Sequence, residues 1–290
     1  MKLRRLPDNP IVRPFMDRWM GRNINGPSAI EAPDWLPNRL GRYYLYFAHH
    51  LGTYLRLAYA DSPEGPWRTY EDGVLDLRQS LFIDHIASPD VHVDDERREI
   101  RMYFHGICET EPQVLQKTRL AISYDGINFA VRPPLLGDSY FRVFTWDGAY
   151  YAFSRLAILW RSPDGVQPFE EGPICGFPDN VRHVAVKKRG AALDIVYSII
   201  GDAPECLYHT TMALEGDWRQ WKIGPSEEIL RPETDYEGAG QPVEPSQVGA
   251  ILLPSNQLRD PDFFNADGRE FLIYSIAGER GLAIAEIESW

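Results

Sequence analysis

Three aspartates, two histidines and a proline crowd into the segment Asp84–Asp94, which reads DHIASPDVHVD. From Val91 onwards apolar and polar residues alternate, which is the period-two pattern of a half-buried strand. Carboxylates and imidazoles are the side chains that most often transfer protons in enzymes. Their concentration at the start of a buried strand therefore predicts a site, with Asp90 as the first candidate for a catalytic carboxylate.

The elements that position this segment form a repeat. Short β-prone runs recur at Tyr43–Phe47, Ile100–Phe104, Ala149–Phe153, Leu193–Tyr197 and Phe271–Tyr274. Each has a strand-like run before and after it, most follow a turn signal such as Asp-Gly, and a fourth, outer run follows in most units. Five units of four antiparallel strands predict an all-β chain, with residues 1–290 forming a single five-bladed β-propeller. The competing prediction, two β-sandwich domains, would not require a fivefold repeat.

Two segments lie outside this regular pattern. The fifth unit ends at Trp290 with three clear strands, so we expect Pro10–Phe15 to supply its outer strand. The segment Lys222–Asn256 is rich in proline, glycine and acidic residues, and a loop of this length inside a compact domain is usually functional.

In a propeller the innermost strands line the axis, so polar residues at their starts are the candidate site. Besides Asp90 these are Asn25, Ser28, Asp84, His85, Arg142, Arg182, His183, Arg259, Asp260 and Asp262. Asp90 and Asp260 each flank a proline that opens an inner strand, which favours a role in the site. The alternative for the acidic residues is that they accept backbone N–H groups at turns and strand ends.

Two arginines and two neighbouring histidines are predicted to bind substrate. Arg142 and Arg182 lie within apolar runs, where an unpaired charge would be costly. They either form salt bridges with Asp90 or Asp260, or bind an anionic group of a ligand. His49 and His50 follow the first β-prone core, and at most one of them can face the pocket because neighbours on a strand point to opposite faces. The buried-strand residue Arg56 is a further candidate for substrate binding.

Composition excludes some classes of partner. The net charge of −12 argues against nucleic acid and anionic membranes as partners. We expect no membrane-spanning segment and no secretory leader, because no run of about 18 apolar residues occurs and the basic N-terminus lacks an apolar core of secretory length. Three widely spaced cysteines without a CxxC pair favour reduced thiols and a cytoplasmic protein. No ligand spacing is diagnostic of a metal, so we expect no required cofactor, although His183 and nearby aspartates leave an axial metal ion or phosphate open.

Four short sequence segments resemble those of a known family: GRYYLYFAHH, ASPDVHVD, IRMYFHG and RDPDFF. They resemble the five-bladed propeller glycoside hydrolases, which include the arabinanase/β-xylosidase family 43, the neoagarobiose hydrolase family 117 and the mannoside phosphorylase family 130. The N-terminal NPIVRP is similar to the opening of the phosphorylases. The resemblance implies an axial pocket, a small carbohydrate substrate, a carboxylate base that activates water and an acid that protonates the leaving oxygen.

The chain departs from the family 43 pattern at two places. Gly26-Pro27 stands where the resemblance implies an Asp-Pro base, and Glu171-Gly172-Pro173 matches the letters of the acid but precedes the expected inner strand. Family 117 uses a histidine as acid, which makes His183 a candidate. Glu237, in the long loop, is the other candidate acid.

We therefore expect a glycosidase acting on a small oligosaccharide, with Asp90 or Asp260 as base and Glu237 or His183 as acid. Two alternatives remain open: a glycoside phosphorylase whose pocket arginines bind phosphate, and a carbohydrate-binding propeller without catalysis.

Overall fold

Five antiparallel sheets form the five blades of a β-propeller, as the repeat predicts. The structure is a computed structural model and describes residues 1–108 and 116–290. The inner strands of neighbouring blades pack against one another around a central axis. In the described residues no helix has the length and apolar character needed to cross a membrane.

The strands follow the chain in blade order, after an N-terminal strand β1 (Lys2–Arg5). Blade one comprises β2 (Asn25–Glu31), β3 (Tyr43–Ala48), β4 (Tyr54–Ala60) and β5 (Arg68–Asp76). Blade two comprises β6 (Ile86–Asp94), β7 (Glu99–Gly106), β8 (Lys117–Ser123), β9 (Ala130–Val131) and β10 (Gly137–Asp138). Blade three comprises β11 (Arg142–Trp146), β12 (Ala149–Phe153), β13 (Ile158–Ser162) and β14 (Glu170–Ile174). Blade four comprises β15 (Val181–Arg189), β16 (Ala192–Ile199), β17 (Leu207–Ala213) and β18 (Glu227–Leu230), and blade five β19 (Arg259–Ala266), β20 (Arg269–Ser275) and β21 (Leu282–Ser289).

The continuous apolar runs are explained by the junctions between blades. Side chains alternate along a strand, so a strand buried on both faces needs apolar residues at every position. In β3, Tyr43 packs edge-on against Phe264 of blade five, with ring centroids 5.3 Å apart. Tyr46, three residues further along the strand, points to the opposite face and packs against Phe129 of blade two, with ring centroids 5.8 Å apart. Each junction between neighbouring blades has such an apolar cluster.

The expectation that Pro10–Phe15 closes blade five is wrong. Strand β1 takes this place and pairs antiparallel with β21, while Val12 makes only an isolated bridge to Leu282. Prolines lack the N–H that a ladder requires, and two of them bound this short segment. By contrast, β1 places Lys2 beside Glu288 at 2.6 Å, so its charged residues match those of β21.

Candidate active site

The inner strands of four blades begin with the same irregularity. The pairing register shifts between Asn25 and Ser28, and at the equivalent positions in β6, β15 and β19. A bulge of this kind frees the intervening residues from the ladder and turns them towards a new direction, as is common beside active sites. The freed pairs are Gly26-Pro27, Ser88-Pro89, Arg182-His183 and Asp260-Pro261.

The residue before the proline has a left-handed backbone in three of these bulges. Gly26 has φ 58°, Ser88 φ 45° and Asp260 φ 46°. This region is unfavourable for a residue with a Cβ, and such strain persists where the surrounding structure enforces it, often at functional sites. These bulges lie at the starts of the inner strands, so they bring one residue of each strand to the same end of the propeller axis, which we call the upper end.

A histidine and an aspartate from two blades meet at this end of the axis. His183 Nδ1 contacts Asp260 Oδ1 directly. The other carboxylate oxygen of Asp260 accepts a hydrogen bond from Ser275 Oγ at 3.0 Å. Burial would raise the pKa of Asp260, but the charges of His183, Arg259 and Arg182 hold it well below its usual range. Asp260 is thus an anion that orients the imidazole through Nδ1.

The second nitrogen of this histidine is available for chemistry. Within the described part of the chain His183 Nε2 has no hydrogen-bond partner, and the ring lines a cavity. Burial lowers the pKa of His183, and the charges of Arg182 and Arg142 act in the same direction against Asp260. Nε2 is therefore the nitrogen at which the imidazole can exchange a proton with a ligand.

A second carboxylate, which the sequence analysis did not select, lines the same cavity. Glu279 lies in the turn between β20 and β21 and is 2% exposed. Its Oε1 lies 3.0 Å from His50 Nδ1 and 3.1 Å from Arg259 Nη1, and its Oε2 accepts a hydrogen bond from Asn23 Nδ2 at 2.6 Å. Burial would raise the pKa of Glu279, but the hydrogen bond and charge of His50, with Arg259, lower it.

The cavity between these groups has a volume of about 240 Å³. Its polar lining consists of His50, Gln116, Tyr140, Arg155, Arg182, His183 and Glu279. The long loop before blade five contributes Val248 and Gly249 to the lining. A cavity of this size suits a small ligand, since pockets for drug-sized molecules are usually larger.

Tyr140 stands in the middle of this lining. Its ring lies between His105 and His183, with both ring centroids 4.1 Å away. No described residue hydrogen-bonds to its phenol, and burial raises the pKa of Tyr140, so the group is a neutral donor. The sequence analysis did not select Tyr140, because an aromatic residue beside a β-prone run is usually part of the core; its φ of 67° places it just before β11.

The two candidate arginines are held by the protein itself. Arg182 forms a two-pronged salt bridge with Glu205, at 2.7 and 3.0 Å, and also donates to the Gln247 carbonyl at 2.7 Å. Arg142 donates to the carbonyls of Pro89 and Pro27, at 2.9 and 3.3 Å. These contacts favour the salt-bridge alternative over anion binding, with Glu205 as the partner of Arg182 that the sequence did not reveal.

Asp90 has a different position from Asp260, because it follows its proline instead of preceding it. Its Oδ2 accepts hydrogen bonds from the backbone N–H of Val143 at 2.7 Å and lies 2.8 Å from His92 Nε2. Asp90 does not line the cavity. It joins the inner strands of blades two and three.

Ser28 and Asp262 make the same connection at two other junctions. Ser28 Oγ accepts from the N–H of Val91 at 2.9 Å, and Asp262 Oδ2 accepts from the N–H of Ala29 at 2.9 Å. Burial raises the pKa of Asp262 to about 7, since the nearby Arg142 charge offsets only part of the cost. We call Ser28, Asp90 and Asp262 the inter-blade acceptors.

Glu237 is buried and does not line the cavity that contains His183 and Glu279. Its Oε1 accepts hydrogen bonds from Arg5 Nε at 2.8 Å and from the Tyr274 hydroxyl at 2.9 Å. Its Oε2 accepts from the backbone N–H groups of Glu233 and Thr234. The structure therefore does not bring the predicted loop acid over the pocket, but makes it a link between β1, the loop and β20.

The remaining candidates divide between the cavity wall and its support. His50 lines the cavity whereas His49 does not, and His49 Nδ1 accepts the N–H of Leu51 at 3.0 Å. His85 is buried, with Nε2 3.1 Å from the Gln116 amide nitrogen. The supporting residues Asn25 and Arg56 both contact Asn23, through its side chain and its carbonyl respectively. Among the described residues no group of three or more His, Cys, Asp or Glu could hold a metal ion.

Comparison with known proteins identifies one close relative in sequence. No family model matches the chain. The chain is 37% identical to the uncharacterized protein R118 of Acanthamoeba polyphaga mimivirus over 319 residues, which cover 98% of this chain and 89% of that protein.

Solved structures share the fold at low identity. A glycosyl hydrolase from Bacteroides ovatus matches with a TM-score of 0.70 and 12% identity, over 98% of this chain and 92% of that one. A family 43 β-xylosidase/α-arabinofuranosidase from a compost metagenome matches with a TM-score of 0.65 and 13% identity, over 98% and 94%. An exo-1,5-α-L-arabinanase from a bovine ruminal metagenomic library matches with a TM-score of 0.59 and 11% identity, over 92% and 95%. These matches confirm the five-bladed propeller architecture.

Proposed function

We propose that this chain, which belongs to the same family as the mimivirus protein R118, hydrolyses a glycosidic bond of a small oligosaccharide at its axial site. Its five-bladed propeller fold is that of glycoside hydrolases. One observation carries the proposal. Two groups able to transfer protons, His183 oriented by Asp260 and the carboxylate of Glu279, line one small cavity on the propeller axis. Glycoside hydrolysis requires such a pair, one acid and one base.

The directions of the pKa shifts assign the roles. Glu279 has a lowered pKa and is ionised at neutral pH, which suits a base that removes a proton from water. His183 is the acid in its protonated form, and Asp260 stabilises the imidazolium through Nδ1. This acid is available below its lowered pKa, so the reaction is favoured in mildly acidic solution.

In the proposed step His183 Nε2 donates its proton to the glycosidic oxygen while the bond from this oxygen to the anomeric carbon breaks. Glu279 accepts a proton from a water molecule, whose oxygen forms the new bond to the anomeric carbon. The proton gained by Glu279 and the proton lost by His183 balance, and both groups return to their starting states by exchange with solvent.

Neutral side chains of the cavity would hold the sugar. The Tyr140 phenol and the Gln116 amide line the cavity and can hydrogen-bond sugar hydroxyls. The phosphorylase alternative, with Arg142 and Arg182 as phosphate ligands, has weaker support. Arg182 already donates to the Glu205 carboxylate, and Arg142 already donates to backbone carbonyls.

Turnover of a panel of aryl glycosides and disaccharides, with and without phosphate, tests the proposal. We expect phosphate-independent release of sugar, and a loss of kcat of about 10²- to 10⁴-fold in His183→Asn and in Glu279→Gln, as for removal of a general acid or base. The matched control is His92→Asn, which also removes a histidine paired with an aspartate but lies outside the cavity.

Thermal unfolding of each variant checks that the chain folds. Turnover only with phosphate would replace hydrolysis by phosphorolysis. Binding of sugars without turnover on the whole panel, or wild-type rates in both cavity variants, would overturn the proposal.

A further inference from the structure

One charged side chain of the cavity has no carboxylate partner among the described residues. Each carboxylate near the cavity has its own basic partner: Asp260 has His183, Glu279 has Arg259, and Glu205 has Arg182. Arg155 lines the same cavity, and in the described ranges 1–108 and 116–290 no carboxylate lies within salt-bridge distance of its guanidinium. Among the described residues this exposed side chain thus has no carboxylate partner, and it can pair with a charge that the ligand brings.

The backbone that carries Arg155 is strained and well anchored. Two successive residues after it, Leu156 and Ala157, have φ of 62° and 55°, although neither is glycine. The turn is fixed by hydrogen bonds from Arg155 N to the Ser139 carbonyl at 2.8 Å and from Ser154 N to the Ile158 carbonyl at 2.9 Å. Left-handed backbone at non-glycine residues costs free energy and is found where function requires a particular geometry.

The result of this turn is to place the guanidinium beside the proposed chemistry. Arg155 and Tyr140 line the cavity together with His183. An anion bound by Arg155 would thus lie in the same small cavity as His183 and Glu279.

We propose that Arg155 selects a substrate with an anionic group, such as the carboxylate of a uronic acid, on the sugar that occupies the cavity. The inference rests on the proposed function, because it takes the bound sugar to be the substrate of the hydrolysis. The binding of the anion can nevertheless be tested without turnover. A guanidinium presents paired N–H donors that match the two oxygens of a carboxylate, and the same geometry suits a phosphate. A neutral sugar would offer this guanidinium no counter-charge.

Ligand-observed NMR titrations at low salt provide the test. The probes are D-glucuronate and D-galacturonate, each beside its neutral counterpart D-glucose or D-galactose, and inorganic phosphate as a separate arm. We expect the wild-type protein to prefer at least one uronate over its neutral counterpart. In Arg155→Gln this preference should fall about 10- to 100-fold, the loss of a hydrogen bond to a charged group. Arg155→Lys keeps the charge without the paired donors and should fall between the two.

The matched control is Arg132→Gln, which removes another exposed arginine outside the cavity lining. Equal affinities for uronates and neutral sugars, or the same preference in Arg155→Gln as in the wild type, would overturn the inference. Loss of phosphate binding alone in Arg155→Gln would overturn the uronate and leave inorganic phosphate as the anion. Turnover of neutral glycosides with no effect of Arg155→Gln would refute this inference while the proposed function stands; uronate binding without turnover would do the reverse.

Discussion

Replacing Asp262 by asparagine should stabilise the protein at neutral pH, although it removes a buried acidic group on the axis. The carboxyl is 8% exposed and its pKa is raised from 3.8 to about 7, with burial as the main cause and the negative charge of Asp90 as a further one. Its one backbone contact, acceptance of the Ala29 N–H at 2.9 Å, can be made equally by an amide oxygen. Asp262→Asn therefore keeps the junction between blades five and one and removes the cost of ionisation.

The size and the pH window of the effect follow from the two pKa values. The folded state binds the proton more tightly than the unfolded chain, so this group lowers the free energy of unfolding as pH rises from about 4 to about 7. Below pH 4 the carboxyl is protonated in both states and contributes no such loss. The difference between the ordinary pKa of 3.8 and the value of about 7 in the folded protein, at about 1.4 kcal/mol for each pKa unit, gives roughly 4 kcal/mol as the cost above pH 7.

Urea unfolding of wild type and Asp262→Asn between pH 4 and pH 8 measures this difference. We expect nearly equal stability at pH 4 and a gain that grows to roughly 4 kcal/mol at pH 8. Asp90→Asn is the matched control, because Asp90 holds the equivalent position in blade two but has a lowered pKa through His92 and Arg142, against the effect of burial. It should destabilise the protein at pH 8. A gain in Asp262→Asn that is the same at pH 4 and pH 8, or a loss at pH 8, would refute the reasoning.

Two further predictions concern the site and its surroundings. If Glu279 is the base and His183 the acid, the dependence of kcat/KM on pH should be bell-shaped. The acidic limb should lie below the usual glutamate pKa of 4.5 and the alkaline limb below the usual histidine pKa of 6.5, because both pKa values are lowered. A maximum of kcat/KM above pH 7 would contradict the assignment. Glu237→Gln should lower the melting temperature by several degrees, since it breaks a partly buried ion pair with Arg5, and leave kcat within about twofold; a 10²-fold loss of kcat in the folded variant would restore Glu237 as the acid.

Much of the fold was predictable because the repeat is a property of local sequence. Alternation of apolar side chains between two junctions makes a middle strand such as Tyr43–Ala48 apolar throughout, and this pattern recurs in each blade. The closing strand was not predictable in the same way. The tetrapeptide Lys2–Arg5 has no apolar run, and its pairing with β21 depends on charges at the far end of the chain.

The residues that line the candidate site could be predicted from the sequence only in part. His183 and Asp260 lie at the starts of inner strands, where a propeller concentrates polar groups, and the structure brings them together. Glu279 and Arg155 lie in turns between other strands of their blades, where charged residues are usual and carry no pattern. A sequence lists such residues among dozens of solvated ones, and only the path of the chain around the axis selects them.

The difference between Asp260 and Asp90 shows how the bulge sorts side chains that look alike in sequence. Both belong to segments of the form X-Pro-Asp, namely Asp260-Pro261-Asp262 and Ser88-Pro89-Asp90. The residue before the proline leaves the ladder with positive φ and faces the upper end of the axis, whereas the residue after it returns to the ladder and binds the N–H of the next blade. Blade five has an acid at both positions, and blade two has a serine at the first. Position relative to the proline therefore separates a carboxylate that can orient His183 from carboxylates that hold the blades together, and it favours Asp260 over Asp90 as the aspartate of the proposed reaction.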